Sequence, residues 1–277
     1  MKPVAEALGV SRSNLTEQKT TDKTNRPARY SKEADEILLP LIRKLTDERA
    51  SYGYRRITAM LNRDLEKVEK PRVNGKRIYR IMKANKLLLE RHTGKSTRTH
   101  DGKIITLKPN LRWCSDTLTI RCWNGEKVEV AFSLDCCDRE AMSWVATTTA
   151  ISGEMIRDLI VESVEKRFGT VDRLPHPVQW LSDNGGCYTA DETRGLGESL
   201  GFIVCTTPAY SPESNGMSEA FVKTLKRDYV YLNRLDDPET VLAQLPKWFE
   251  DYNENAPHKG LKMRSPRQFR REVALTN

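Results

Sequence analysis

The sequence predicts an α/β fold, in which a mixed five-stranded sheet flanked by helices follows a small all-α domain. Two observations support this. Near residue 110 the apolar spacing changes from a helical period to strand-like alternation, and the charge balance reverses. Residues 1–110 hold 26 Lys and Arg against 13 Asp and Glu, a net charge of +13; residues 111–277 hold 20 against 25, a net charge of −5. A strongly basic half indicates a polyphosphate partner such as nucleic acid.

Composition argues against several other classes of protein. No apolar run approaches the ~18 residues of a membrane-spanning helix, and the N-terminus MKPVAEALGV lacks the apolar core of a signal peptide. The six cysteines form no CxxC pair and only four histidines accompany them, which argues against zinc. Free thiols in a reducing cytoplasm are the better interpretation.

The basic half divides into three segments. Residues 1–32 combine a fragment like the second part of a helix-turn-helix (VAEALGVSRSNL) with a polar linker; a frayed terminus is the alternative interpretation. Residues 33–90 show the helical period three times, first with Ile37, Leu38, Leu41, Ile42 and Leu45. Asn74 is a candidate cap for the third helix. Residues 91–110 are basic and turn-rich, which predicts a second linker.

The last of the three helices is basic, with five like charges in eleven residues and no acid among them. Such a face either contacts DNA phosphates or is simply solvated, and the uninterrupted run of charge favours DNA. The predicted DNA-binding residues of this helical domain are Arg55, Arg56, Lys76, Arg77, Arg80 and Lys83.

Residues 111–232 give the order β-β-β-α-β-α-β-α, which predicts a mixed sheet covered by helices. Asn124-Gly125 marks a hairpin between the first two strands. Ser152 and Gly169 are positioned to cap and to end the first helix of this core. Residues 233–277 are expected to form a helical tail that packs on the core or contacts DNA.

Three acids lie where an active site would need them. Asp116 is in the middle of an apolar strand (WCSDTLT), Asp183 leaves a strand before Asn184-Gly185-Gly186, and Glu219 is on the polar side of an amphipathic helix. Each has an ordinary alternative: an edge-strand acid, a turn acid, and a surface partner of Lys223. Together they form a set of hard oxygen ligands without His or Cys, which suits Mg²⁺ or Mn²⁺.

A pair of such metal ions can hold the attacking and leaving oxygens of an in-line phosphoryl displacement. Lys223 and Lys226 follow Glu219 on the same helix face, where they would contact the phosphates of DNA rather than neutralise the glutamate. Asn184, in the turn after Asp183, is a further candidate DNA contact.

With these motifs in order, the chain resembles the OrfB-type transposases of bacterial insertion sequences, in the retroviral-integrase-like superfamily. The matching segments are YGYRRI, VNGKRIYRIMKANKL, RWCSDTL, LSDNGG, SPESNGMSEAFVKTLK and YNENAPHKGLKMRSPRQF. The gap of 35 residues between Asp183 and Glu219 and the lysine seven residues past Glu219 also match. The chain departs from the pattern at Ala256, where Arg is common, and at Lys262, where Gly is usual.

The resemblance implies an RNase H-like core in which Asp116, Asp183 and Glu219 bind two Mg²⁺ or Mn²⁺ ions, with Lys226 near the cleaved DNA end. It implies strand cleavage at insertion-sequence ends, then strand transfer into target DNA, by a bacterial cytoplasmic, nucleoid-associated homo-oligomer without membrane contact. It also implies a separate or fused OrfA segment as a partner.

Alternatives stay open at this stage. Asp135 competes with Asp116 as the first carboxylate, although strand alternation favours a supporting or surface role; Glu213 competes with Glu219. An RNase H-like nuclease that cuts without joining could take a ligand from Glu162 or Glu165. A DNA-binding regulator with a silent core is the non-enzymatic alternative.

Overall fold

The computed structural model describes residues 33–90, 106–170, 172–206 and 216–274. The predicted helix-turn-helix fragment and linker at 1–32, most of the linker at 91–110, and Glu213 lie outside these residues. Among the described helices, none has the length and apolarity needed to span a membrane.

A helical region precedes the sheet. It consists of α1 (Glu33–Glu36), α2 (Leu38–Glu48), α3 (Tyr54–Lys67) and α4 (Gly75–Ala84). The Asn74 side chain accepts a hydrogen bond from the Lys76 amide at 2.8 Å, which confirms the predicted cap. Two residues of the helical apolar pattern, Ile37 and Leu41, are 70% and 40% exposed. Only one face of α2 meets α3 and α4, and other apolar residues of that helix fill it.

The sheet has five strands in the spatial order β3-β2-β1-β4-β5. They are β1 (Arg112–Arg121), β2 (Lys127–Asp135), β3 (Ala141–Thr147), β4 (Val178–Ser182) and β5 (Phe202–Thr206). The β1–β2 and β2–β3 pairs are antiparallel, while β1–β4 and β4–β5 are parallel. This mixed topology, with helices on the sheet, confirms the predicted fold class.

Six further helices accompany the sheet: α5 (Gly153–Phe168), α6 (Gly186–Thr189), α7 (Asp191–Leu200), α8 (Gly216–Asp228), α9 (Pro238–Glu254) and α10 (Pro266–Ala274). Ser152 accepts from the Met155 amide at 3.2 Å and so caps α5, as predicted. Gly169 ends that helix at a φ of 79°, where a side chain would be strained.

The sheet is buried on both faces. On the α5 face, Trp113 and Trp180 pack with apolar residues of α5. On the α8 face, Leu118 and Phe132 pack with Phe221 of α8 and with α9. Because successive residues of a strand point to opposite faces, each residue of β1 can be assigned to one face or the other.

The segment after α8 is packed into the core. α9 contributes a run of buried side chains, among them Leu245 and Phe249, to the cluster on the α8 face. α10 is held against the end of β2 and β3 by Arg267 and Arg270, whose guanidinium groups donate to Glu140 at 3.0 and 2.8 Å. These contacts give residues 233–274 a structural role in supporting the sheet.

The helical region is docked on the core by arginine side chains. Arg49 donates two hydrogen bonds of 2.6 Å to the Asp251 carboxylate of α9. Arg56 donates to Asp228 at the end of α8 at 2.8 Å, and Ser51 donates to the same carboxylate at 2.7 Å. Charge-assisted, bidentate bonds of this kind fix orientation as well as adding stability.

Replacing Arg49 by Gln should lower the free energy of unfolding by about 2 kcal/mol, because hydrogen bonds to charged groups contribute roughly 1.5–3 kcal/mol. The measurement is urea denaturation of the whole chain. Lys67→Gln is the matched control, since it breaks an ion pair with Asp64 whose side chains are 75% and 55% exposed and should cost less than about 0.5 kcal/mol. Equal effects of the two substitutions would contradict the docking role of Arg49.

Lys262 occupies the left-handed region, with φ 54° and ψ 41°. Its backbone conformation explains why the resembling family usually has Gly at this position. Lys262→Gly should therefore raise the free energy of unfolding by about 1 kcal/mol, measured by the urea midpoint. Lys259→Gly, in the adjacent helical turn, should instead be neutral or destabilising by up to about 1 kcal/mol. A destabilised Lys262→Gly chain would refute this explanation.

Candidate active site

Asp116 lies in the middle of the central strand β1, on the α8 face. Cys114 and Leu118, two residues before and after it, belong to the cluster on that face, whereas Trp113 belongs to the α5 face. Asp116 is half-buried and accepts a 2.8 Å hydrogen bond from the amide of Thr117. The Asp116 carboxylate is thus held among apolar neighbours in the central strand, which has a paired strand on each side.

Asp183 directly follows β4, the parallel neighbour of β1. The β1–β4 pairing ends with Cys114 opposite Leu181. Asp116 follows Cys114 by two residues on β1, and Asp183 follows Leu181 by two residues, just past the end of β4. Leu181 belongs to the α8 face, so alternation directs Asp183 to the face that carries Asp116.

Glu219 is brought to this face by helix α8. Asp116 is the cross-strand partner of Phe132 on β2. The Phe132 ring packs on Phe221 of α8, with 4.5 Å between ring centroids. Phe221 is two residues after Glu219, so a single aromatic contact connects the helix of Glu219 to the strand position opposite Asp116.

The electrostatics of Asp116 reflect the nearness of the other two acids. The pKa of Asp116 is raised to about 6, mainly by burial and also by the negative charges of Asp183 and Glu219, while the Thr117 amide hydrogen bond lowers it. Burial and nearby like charges are both typical of carboxylates that bind a cation. Asp116 is therefore near enough to the other two predicted acids for their charges to act on it.

The turn after β4 shapes the position of Asp183. Its Oδ1 accepts a 3.0 Å hydrogen bond from the Gly185 amide. A Cβ atom at Gly185 would lie 3.0 Å from that same oxygen, so a larger residue would push the carboxylate aside. Gly185, the first glycine of SDNGG, thus allows the close approach between the turn and the Asp183 carboxylate.

Glu219 also takes part in the surface ion pair that its helical spacing suggested. The Lys223 ammonium lies 3.3 Å from Glu219 Oε2, and the two side chains are 76% and 42% exposed. Lys223 thus pairs with Glu219 in the DNA-free protein, and its contact with DNA phosphates stays a prediction. An exposed pair of this kind contributes less than about 1 kcal/mol, so an incoming cation could displace the lysine.

Within the described residues, no three His, Cys, Asp or Glu side chains are close enough together to form a ready-made metal site. Oxygen donors alone nevertheless suit Mg²⁺ or Mn²⁺, and the raised pKa of Asp116 marks negative charge that a cation would relieve. The donor chemistry of the three predicted acids therefore fits a divalent ion of this kind.

Asp135, the competitor for the first position, is fully buried, which rules out the predicted surface role. One of its oxygens accepts from the amides of Cys137 and Asp138, and the other accepts from the Asn110 amide at 2.7 Å. Arg167 lies 3.4 Å away and also contacts Asp138 and Glu140. Asp135 therefore closes the β2–β3 connection and is not available to a metal.

Glu162 and Glu165, the extra ligands considered for a nuclease, belong to α5. That helix covers the face of the sheet opposite Asp116. Glu162 accepts from Ser143 at 2.5 Å and pairs with Lys166 at 2.7 Å. Neither acid can join the carboxylates on the α8 face.

The predicted DNA-binding residues fall into two groups. Arg56 and Arg77 are engaged within the protein, since Arg56 binds Asp228 and Arg77 binds Asp35 at 2.5 Å. Those in exposed positions are Arg55, Lys76, Arg80, Lys83 and Asn184, and Lys226 is half-buried on α8. Sequence spacing predicted the positive charge of the helical region. It could not distinguish an arginine that faces solvent from one that pairs with an acid within the protein.

Tyr188 and Ser115 were not predicted. The Tyr188 hydroxyl lies 2.9 Å from Ser115 Oγ, and both residues are buried. Ser115 adjoins Asp116 and Tyr188 ends the SDNGG turn, so proximity to the acids in sequence was an available signal.

Comparison with known proteins supports a single family. Models described as integrase core domain match residues 106–212 and 204–266, and a model described as HTH-like domain matches residues 32–95. Transposase InsD for insertion element IS2D of Escherichia coli (strain K12) is 44% identical over 276 residues, which cover 98% of this chain and 91% of that protein. Transposase InsD for insertion element IS2-9 of the same strain is also 44% identical, with 98% and 89% covered.

The solved structures with a similar backbone have a lower sequence identity to this chain. A simian T-cell lymphotropic virus intasome in complex with PP2A regulatory subunit B56 gamma has a TM-score of 0.48 at 17% identity, covering 82% of this chain and 73% of that one. The catalytic domain of Mos1 mariner transposase has a TM-score of 0.45 at 19% identity, covering 60% and 81%.

Asp116→Asn should stabilise the metal-free protein at pH 7.5, because it removes a charge whose ionisation in the folded state is opposed. The raised pKa means that the folded state holds this proton more tightly, so the cost of the charge appears as pH rises from about 4 through 6. We expect the melting temperature to rise by roughly 2–4 °C, the shift for ~1 kcal/mol in a chain of this size. At pH 4 the gain should vanish. A gain that is equal at both pH values would contradict this origin.

Proposed function

The chain belongs to the transposases of bacterial insertion elements, and we propose that Asp116, Asp183 and Glu219 are the catalytic carboxylates with which it cleaves and joins DNA. The observation that carries this proposal is the arrangement of Asp116 in β1, Asp183 directly after the neighbouring strand β4, and Glu219 on α8, whose Phe221 packs on Phe132, the cross-strand partner of Asp116. The enzyme class is polynucleotidyl transfer, the chemistry of an integrase core.

The carboxylates would hold Mg²⁺ or Mn²⁺, and we propose that two such ions bind. Such ions supply an acidified nucleophile and stabilise the charge of the phosphoryl transition state. The protein's own part would be positional: β1 carries Asp116, Asp183 directly follows β4, and α8 carries Glu219. Release of Glu219 from Lys223 would complete the site and leave the lysine near the phosphates of bound DNA.

Double-stranded DNA is the proposed substrate, both as insertion-element ends and as target. The exposed basic residues Arg55, Lys76, Arg80 and Lys83 line the helical region, where they would contact the phosphate backbone. Lys226 and Asn184 would contact DNA near the acids. Arg56 and Arg77 leave the proposal because their guanidinium groups bind acids within the protein.

The proposal also covers the division of the chain into segments, its oligomeric state and location, and its partner. The segments proposed as units are 33–90 for DNA binding, 111–232 for catalysis and 233–277 as the C-terminal helical tail. We propose a homo-oligomer on DNA in the bacterial cytoplasm, with a separate or fused OrfA segment as partner. We expect an oligomer because two insertion-element ends must be cut and joined to one target. A single copy of the site would have to act on the two ends one after the other.

Replacing Asp183 by Asn or Glu219 by Gln should reduce strand cleavage and strand transfer more than about 100-fold, since even supporting residues of metal sites cost 10- to 100-fold. The assay uses labelled insertion-element ends, a target plasmid and MgCl₂. Glu165→Gln is the matched control, an exposed glutamate on the α5 face, and should retain activity.

The same assay separates the alternatives. Cleaved ends without joined product would favour a nuclease, and binding without cleavage would favour a regulator. Full joining activity in Glu219→Gln would remove Glu219 from the catalytic set, and loss of activity in Glu165→Gln would reopen the choice of the third acid.

A further inference from the structure

A chain of buried hydrogen bonds runs beneath the carboxylates, on the α5 face. Ser115 Oγ donates to the carbonyl oxygen of Phe132 at 2.8 Å. A serine hydroxyl has one proton, so its 2.9 Å contact with the Tyr188 hydroxyl must have Tyr188 as donor. The direction of both bonds is therefore fixed: from Tyr188 to Ser115, and from Ser115 to the backbone of β2.

The three residues of this hydrogen-bond chain lie in segments that position the three acids. Ser115 precedes Asp116 on β1, and Phe132 is the cross-strand partner of Asp116. The Phe132 ring contacts Phe221, on the helix of Glu219. A displacement of the Phe132 backbone would therefore be felt both opposite Asp116 and at α8.

Tyr188 connects Asp183 to the same chain of bonds through a short and tightly bonded turn. The Tyr188 amide donates to the Gly185 carbonyl at 2.9 Å, and the Gly185 amide donates to Asp183 Oδ1 at 3.0 Å. These two hydrogen bonds connect the Tyr188 backbone to the Asp183 carboxylate through Gly185.

Both hydroxyl groups are withdrawn from water. Tyr188 is 3% exposed and Ser115 is fully buried. Burial raises the pKa of Tyr188, so its hydroxyl stays protonated and able to donate at any pH at which the protein is folded. A hydrogen bond between buried groups is costly to leave unmade, and this one cannot be replaced by water without opening the core.

We propose that Tyr188 is a positioning residue for the metal-binding carboxylates. Its hydroxyl, through Ser115, holds the turn that carries Asp183 against the strand that carries Asp116. The proposal rests on the proposed function of these acids. It assigns to Tyr188 no contact with the metal or with DNA.

The test compares Tyr188→Phe, which keeps the ring and removes the hydroxyl, with Tyr229→Phe. Tyr229 is a matched control, since it is also buried and its hydroxyl donates to Asp251 at 2.8 Å, away from the three acids. We expect Tyr188→Phe to raise the Mg²⁺ concentration for half-maximal strand transfer about 10-fold, the effect typical of residues that orient metal ligands. Tyr229→Phe should lower the melting temperature and leave this concentration unchanged.

A second readout does not depend on activity. MnCl₂ should raise the melting temperature of the DNA-free wild-type protein, because a bound ligand stabilises the folded state, and the rise should be smaller in Tyr188→Phe. Ser115→Ala should reproduce the effect, and the double substitution should add little, since both remove one bond.

The outcomes are distinct. An unchanged Mg²⁺ dependence and an unchanged MnCl₂ shift in Tyr188→Phe would overturn the proposal, as would an activity loss that is the same at every Mg²⁺ concentration. If the wild-type protein neither cuts nor joins DNA, the proposed function fails, and the MnCl₂ shifts of the variants still decide whether Tyr188 positions the acids.

Discussion

The parallel pairing of β1 with β4 is the constraint on which the site depends. It aligns Cys114 with Leu181, two residues before Asp116 on β1 and two residues before Asp183, which follows β4. Apolar packing on both faces of the sheet stabilises this pairing and keeps Asp116 half-buried. Burial is the main cause of the raised pKa of Asp116, and the negative charges of Asp183 and Glu219 add to it.

Helix α8 joins this site to the rest of the molecule. Its first turn carries Glu219, and its last residue, Asp228, is a buried carboxylate that binds Ser51 and Arg56 of the helical region. The same helix thus connects the docking contacts of the helical region with the segment that carries Glu219.

The sequence predicted what depends on local periodicity and missed what depends on tertiary contact. The succession of strands and helices along the chain and the Asn74 and Ser152 caps follow from short-range patterns, so they could be predicted. The exposure of Ile37 could not, because helical spacing does not say which apolar residues of a helix are covered by neighbouring elements. Arg56 and Asp135 look like surface charges in sequence, and only their partners, Asp228 and Arg167, show that they are structural.

Glu219 shows how the ordinary and the functional interpretation of one residue can both hold. The i,i+4 pair with Lys223 is present, yet both side chains are exposed, and such pairs are weak and screened by salt. Asp116, by contrast, is half-buried in the central strand, and Asp183 directly follows the neighbouring strand β4. If these acids bind a divalent cation, as proposed, Glu219 can exchange its weak pair with Lys223 for that cation. Lys223 is then the partner of Glu219 in the metal-free protein, in which Asp116 and Asp183 already lie on the same side of the sheet.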